Sequence, residues 1–183
     1  MPLEVTVNGV EWHEITGGFD YYEQPKVDYI TPTVGPNEGK ARVIFIGEGF
    51  RSDFPLAAPS CKIGDTIGEA RIMSPQKMQC EVHSIPRTEE GESLPVSASL
   101  NNASWTEVTS KTHYRPYGID LISPNSGPST GGTKVNVEGF GFVKGHDGKC
   151  RFGVPGEYII VPATYVHEHL ITCVAPKFNA HQI

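Results

Sequence analysis

Ile122-Ser123-Pro124-Asn125-Ser126-Gly127-Pro128-Ser129-Thr130-Gly131-Gly132-Thr133-Lys134-Val135-Asn136-Val137-Glu138-Gly139-Phe140-Gly141-Phe142 is the stretch whose reading decides the fold. An extended segment stops at a proline, which cannot donate into a β-ladder. A run of Gly, Pro and Ser then supplies residues suited to tight turns. Val135 and Val137 alternate with polar neighbours at the period of two that marks a strand. Gly139-Phe140-Gly141-Phe142 ends that strand, its glycines permitting positive φ or a bulge.

Working outward, the same pattern stands 92 residues earlier (122 − 30) as Ile30-Thr31-Pro32, Gly35-Pro36 and Gly47-Glu48-Gly49-Phe50. Cys61-Lys62-Ile63-Gly64 recurs as Cys150-Arg151-Phe152-Gly153, and Cys80 recurs as Cys173. A second match falls outside these anchors. Met1 to Gln24 lies over Leu94 to Tyr117 without gaps, 93 residues apart (95 − 2), bringing Pro2, Asn8, Trp12, Glu14, Thr16 and Tyr21 onto Pro95, Asn101, Trp105, Glu107, Thr109 and Tyr114. A fixed period of this length is the mark of a tandem array. It divides the chain into residues 1–25, the closing part of one module; 26–117, a complete module; and 118–183, the opening part of a further one. The expectation is a piece of a longer array that starts and stops in mid-module, because a half-sandwich leaves its core and strand edges open.

Within the complete module, Val27, Tyr29 and Ile30 lead a strand that breaks at Pro32. Gly35 to Gly39 reads as a turn. Ala41 to Ile46 forms a near-continuous apolar strand, and Phe50 folds back as a core plug. Ser60 to Ile63, Gly68 to Ile72 and Met78 to Val82 read as short strands. Pro95 to Leu100 and Trp105 to Thr109 flank Asn101-Asn102, a hairpin turn matched by Asn8-Gly9 in the first segment. No helix is expected. Short strands separated by turn residues predict an all-β fold of immunoglobulin-like β-sandwich repeats in an extended tandem array.

Composition narrows the function. Apolar residues make up 38% of the 183, enough to pack cores. The net charge of −6 argues against a phosphate-gripping nucleic-acid binder. No run approaches the roughly 18 apolar residues of a membrane span, so membrane contact is expected only through a segment not present here. Met1 to Trp12 lacks the apolar block of a signal peptide. That fits a cytosolic chain or one cut from a longer precursor, and the repeat favours the precursor.

The repeated anchors resemble the IPT/TIG family of immunoglobulin-like domains. Residues Ile122 to Phe142 carry its opening motif almost in full, and Ile30 to Phe50 departs only at Asn37-Glu38-Gly39-Lys40. The resemblance covers essentially the whole chain. It implies an immunoglobulin-like fold and a wide span of roles, from plexin and growth-factor-receptor ectodomains to Rel-type dimerisation domains and accessory modules of polysaccharide enzymes. Extracellular members often carry a cysteine pair at the positions held here by Cys61 with Cys80 and by Cys150 with Cys173. The resemblance therefore implies two disulfides, with four buried free thiols as the alternative. Disulfides would place the protein outside the cytosol.

Other features read plainly. Asn102-Ala103-Ser104 is a glycosylation sequon, which makes Asn102 a candidate acceptor. His167 and His169 could share a strand face, yet no further ligand accompanies them, so a solvated edge is expected. His146-Asp147-Gly148 lacks the repeated acidic positions of a calcium loop. No CxxC or paired-His cluster suggests zinc. Metal sites, cofactors and catalytic residues are expected to be none, and the chain is not read as an enzyme. Trp12 and Trp105 are expected to pack against the sandwich or the next module. Tyr21 to Val27 and Tyr114 to Ile119 read as short proline-containing linkers that limit hinge motion. The leading expectation is a structural or adhesive segment, such as a spacer, stalk or filament, of a large cell-surface or secreted protein, a ciliary or flagellar surface included. Its partners would be neighbouring modules and other surface or filament proteins, with no nucleic acid. The alternatives are an intracellular cytoskeletal or ciliary scaffold, and an accessory module of a polysaccharide-active enzyme.

Overall fold

The computed structural model of the chain describes residues 1–53, 58–88 and 92–178. Every regular element among them is a strand. A first pair, β1 (Leu3–Val5) and β2 (His13–Ile15), forms its own two-stranded sheet. Then come β3 (Lys26–Thr31), β4 (Val34–Pro36), β5 (Glu38–Glu48), β6 (Ser60–Ile63), β7 (Thr66–Ser74), β8 (Lys77–Ser84), β9 (Val96–Ser99) and β10 (Thr106–Glu107). The last five are β11 (Arg115–Ser123), β12 (Lys134–Phe140), β13 (Lys149–Val154), β14 (Glu157–His167) and β15 (Leu170–Val174).

The first module is one ladder in the order β10-β9-β6-β7-β8-β5-β3. A bridge between Val27 and Val108 joins its two ends, and the Thr109 amide donates to the Val27 carbonyl at 2.8 Å. The ladder thus curls on itself and loses its free edges, as barrels do. Its interior is apolar and dry: Val43, Phe45, Phe50, Ile63, Met78 and Leu100 are all buried. β5 shows the cause, since Ala41, Val43 and Phe45 point inward at alternate positions.

The next module, in the order β13-β14-β15-β12-β11, repeats the arrangement β6-β7-β8-β5-β3. The Gly-x-Gly-Phe ending does the same work in both. A Cβ on Gly47 would run into the Lys26 carbonyl, and one on Gly139 into the Gly118 carbonyl. Each glycine therefore lets the preceding strand approach, next to register shifts at Val27/Tyr29 and Ile119/Leu121. Gly49 and Gly141 then take φ of 80° and 74°, a left-handed turn that swings Phe50 and Phe142 into their cores. The peptides before Pro32 and Pro124 are both cis.

Three expectations need correcting. Asn8-Gly9 and Asn101-Asn102 do not make two-residue hairpin turns. Longer loops stand between the strands, because the Asn side chains bond the backbone ahead of them instead. Asn8 Oδ1 accepts from the Val10 and Glu11 amides at 3.0 and 3.1 Å. Asn101 Oδ1 does the same for Ala103 and Ser104 at 3.0 and 2.8 Å. The second concerns the linker at Tyr114 to Ile119, most of which is strand, and the third the turn at Gly35 to Gly39, where Asn37 alone separates β4 from β5.

Candidate functional site

Nothing among the described residues forms a cluster of three His, Cys, Asp or Glu suited to a metal. No helix among the described residues is long and apolar enough to cross a membrane. The distinctive construction is the joint between the modules.

β11 belongs to both sides of that joint. Its first residues, Arg115 to Tyr117, pair in parallel with β4, and its later residues, Gly118 to Ser123, pair antiparallel with β12. Two residues anchor its start. The amide and carbonyl of Tyr114 exchange hydrogen bonds with Leu94 at 2.9 and 2.7 Å. The Tyr114 ring is buried, and its hydroxyl donates to the Pro36 carbonyl at 3.3 Å. Burial pushes the Tyr114 phenol well above its ordinary pKa. Gly35 is required beside it, since a Cβ there would strike the Tyr114 hydroxyl. Asn37 then closes the seam: its amide donates to Tyr117 O at 2.8 Å, while its carbonyl accepts from the Ile85 amide at 2.7 Å.

Side chains lock the same seam from outside. The Arg87 guanidinium donates two bonds to the Asp120 carboxylate, at 3.0 and 3.2 Å, and lies 4.3 Å over the Phe140 ring. Planar two-point contact fixes orientation as well as distance. Phe140 in turn sits against Gly118, where a Cβ would not fit. Across the joint, an Arg115 Nη stands 3.8 Å from the Glu168 carboxylate.

The repeat shows how the joint is specialised. At the positions 92 residues earlier, Lys26 stands in place of Gly118 and Glu48 in place of Phe140, while Asp28 matches Asp120. There Lys26 simply pairs with Asp28 and Glu48, at 3.0 and 3.7 Å. Sequence reading did not find Arg87, Asn37 or Asp120. The substitution of Gly118 and Phe140 for a lysine and a glutamate was the available signal.

The residues singled out from sequence are placed as follows. Cys61 is joined to Cys80 and Cys150 to Cys173, with Cα atoms 5.9 and 6.3 Å apart. Each bridge links two strands across a third, β6 to β8 over β7 and β13 to β15 over β14. Asn102 stands exposed on the loop between β9 and β10 with φ of 55°. Trp105 is half-buried, with the Lys62 ammonium 4.2 Å from its ring, whereas Trp12 is exposed rather than packed, because β1 and β2 have no sheet to lie on. His167 ends β14 and His169 sits in the turn after it, bonded at 3.1 Å to the Gly139 carbonyl. The two therefore do not present a shared strand face.

An IPT/TIG domain profile matches residues 25–114 and again 116–182. Among curated proteins, mouse plexin-A4 is 22% identical over 146 residues, human plexin-A3 26% over 147, and zebrafish plexin-A4 28% over 134. These alignments cover 78%, 70% and 70% of this chain but only 8%, 7% and 7% of the relatives. The chain thus spans under a tenth of the length of the plexins it matches. A solved structure of the full extracellular region of plexin A4 superposes with a TM-score of 0.50 at 18% identity, covering 87% of this chain and 13% of that one. That likeness shows the fold.

Proposed function

Because the chain belongs to the IPT/TIG domain family, as two modules in tandem distantly related to plexin extracellular segments, we propose that it is a non-catalytic structural and adhesive segment of a large cell-surface or secreted protein. The observation that carries this reading is β11, one strand shared by two modules. A module pair joined by a continuous strand and clamped by Arg87 and Asp120 holds a set angle. A spacer or stalk needs that property, and a freely hinged pair lacks it.

We assign residues 26–117 to a complete module, 1–25 to the closing part of a preceding one, and 118–183 to the opening part of a following one. The separate β1–β2 pair, and an outer edge of β13 with no strand beside it among the described residues, support that division. The two disulfides support an oxidising compartment. The exposed loop position of Asn102 suits glycan attachment there. Neighbouring modules and other surface or filament proteins are the partners this reading implies.

The test is labelling of intact cells that express the protein natively. An antibody to this segment should bind without permeabilisation, and glycosidase treatment should lower the mass of a peptide carrying Asn102. Binding only after permeabilisation contradicts the surface reading and favours an intracellular scaffold.

A further inference from the structure

The chain enters and leaves the module of β3 to β10 along one seam. The bridge between Val27 and Val108 is parallel. So is the pairing of β4 with the start of β11, where Arg115 stands opposite Val34, Pro116 opposite Gly35 and Tyr117 opposite Pro36. Both patches keep a spacing of 81 residues (108 − 27 and 115 − 34). They are two stretches of a single register, interrupted where β3 ends at Thr31 and Lys111 takes φ of 53°. Backbone bonds span both. The amides of Thr109, Ser110 and Arg115 donate to the carbonyls of Val27, Asp28 and Thr33 at 2.8, 3.2 and 2.8 Å, and the Asn37 amide donates to the Tyr117 carbonyl at 2.8 Å. Side chains add to them: Gln24 Nε2 donates to the Trp105 carbonyl at 3.2 Å, and the Tyr114 hydroxyl to the Pro36 carbonyl at 3.3 Å. Val27, Val108 and Tyr114 are buried behind the seam, which keeps water from its bonds.

We propose that this seam is a shear clamp, by which the module bears tension along the chain. In a parallel pair the incoming and outgoing ends point in opposite directions. A pull on the chain before Lys26 and beyond Tyr117 therefore slides one strand along the other, and every bond across the seam is loaded at once. An antiparallel pair pulled from neighbouring ends opens one bond at a time. Resistance to force follows the rate of unfolding rather than the equilibrium stability. The bonds in the load path decide it, not the size of the core behind them. The second part of the device is the Cys61–Cys80 bridge. It lies within the ladder and outside the seam. If the seam yields, the residues between these cysteines are excluded from the extension, so the bridge sets a stop. The inference rests on the spacer or stalk reading for the direction of the pull. Labelling of cells decides that reading, while forces are measured on the isolated chain, so the two fail separately.

Force spectroscopy on the 183-residue chain, held at its two ends, tests the clamp. The seam should yield in one abrupt step. That step should release about 70 residues, the span from Val27 to Tyr117 less the 19 from Cys61 to Cys80, or about 250 Å at roughly 3.6 Å per residue. Reductant should lengthen it by about 70 Å. Thr109→Pro removes one seam donor at an exposed position and should lower the yield force strongly. Tyr114→Phe keeps the buried ring, loses the bond to Pro36 and should lower the force less. Ile72→Ala thins the packing of β7 inside the stretch closed by the disulfide. It should lower the urea midpoint and leave the yield force near that of the wild type. Circular dichroism verifies that each variant keeps its β structure. A wild-type chain that lengthens gradually overturns the proposal. So do folded seam variants that yield at the wild-type force, and so does a loss of force in Ile72→Ala as large as theirs.

Discussion

Cys61 and Cys150 stand at equivalent places in two modules, yet among the described residues Cys61 has a strand on each side and Cys150 on one side only. Around Cys61 the ladder is closed by β9 and β10, and a broad set of side chains is buried. Around Cys150 the same opening motif folds in the same way, with Val135, Val137 and Phe142 buried and Phe152 and Ile171 packed at the margin. The opening half sets the topology, and the closing hairpin determines whether the core is dry. Hydrophobic stabilisation follows the apolar area removed from water. Among the described residues, the module of β3 to β10 therefore buries the larger apolar core and is expected to be the more stable of the two.

The sharpest way to break that contrast is to delete equivalent plugs. Phe50→Ala should destabilise the complete module by about 3–5 kcal/mol, the usual cost of truncating a fully enclosed phenylalanine. Phe142→Ala should cost the open module less, because its core can collapse and water already reaches the rim. Urea unfolding followed by NMR reports the two modules separately. Equal losses would show that the second core is as well sealed as the first.

A smaller effect is expected at Tyr114. Tyr114→Phe removes the hydroxyl bond to Pro36 and should cost about 1 kcal/mol at neutral pH. Burial raises the folded pKa of this phenol above its unfolded value. Its contribution is thus whole below about pH 10, the unfolded value, and falls as pH rises through the folded one. The phenylalanine variant should lack that alkaline loss. A wild-type alkaline limb identical to that of the variant would show that Tyr114 is not the group responsible.

Smallest in energy, but closest to the mechanical reading, is the clamp at the joint. Arg87 and Asp120 are about half exposed, so a double-mutant cycle should give a coupling of only about 0.5–1 kcal/mol. Arg87→Ala should nevertheless broaden the distribution of inter-module angles, read by spin-label distances across the joint. An unchanged distribution would show that the clamp does not set the angle.

Much of this architecture was legible in the sequence. Gly47 with Gly139 and Phe50 with Phe142 announce the strand ending, because close backbone approach and a left-handed turn admit few other residues. The matching cysteines and the hairpin repeat announced themselves by spacing. The joint was hidden. Pro116 and Gly118 carry the signals of a loop, and nothing in periodicity shows a short parallel pairing such as that of Val34 to Pro36. Arg87 and Asp120 obey no local pattern and meet only because β11 passes through both modules. The hairpin loops were misjudged because Asn8 and Asn101 favour tight turns by type, while their side chains here cap a longer loop.

The claim that the closing hairpin seals a module is tested most directly by amide hydrogen exchange on dilute 1–183. The account predicts strong protection along β6, paired on both edges, and fast exchange at the outward-facing amides of β13. Protection of β13 equal to that of β6 in the dilute monomer would contradict it.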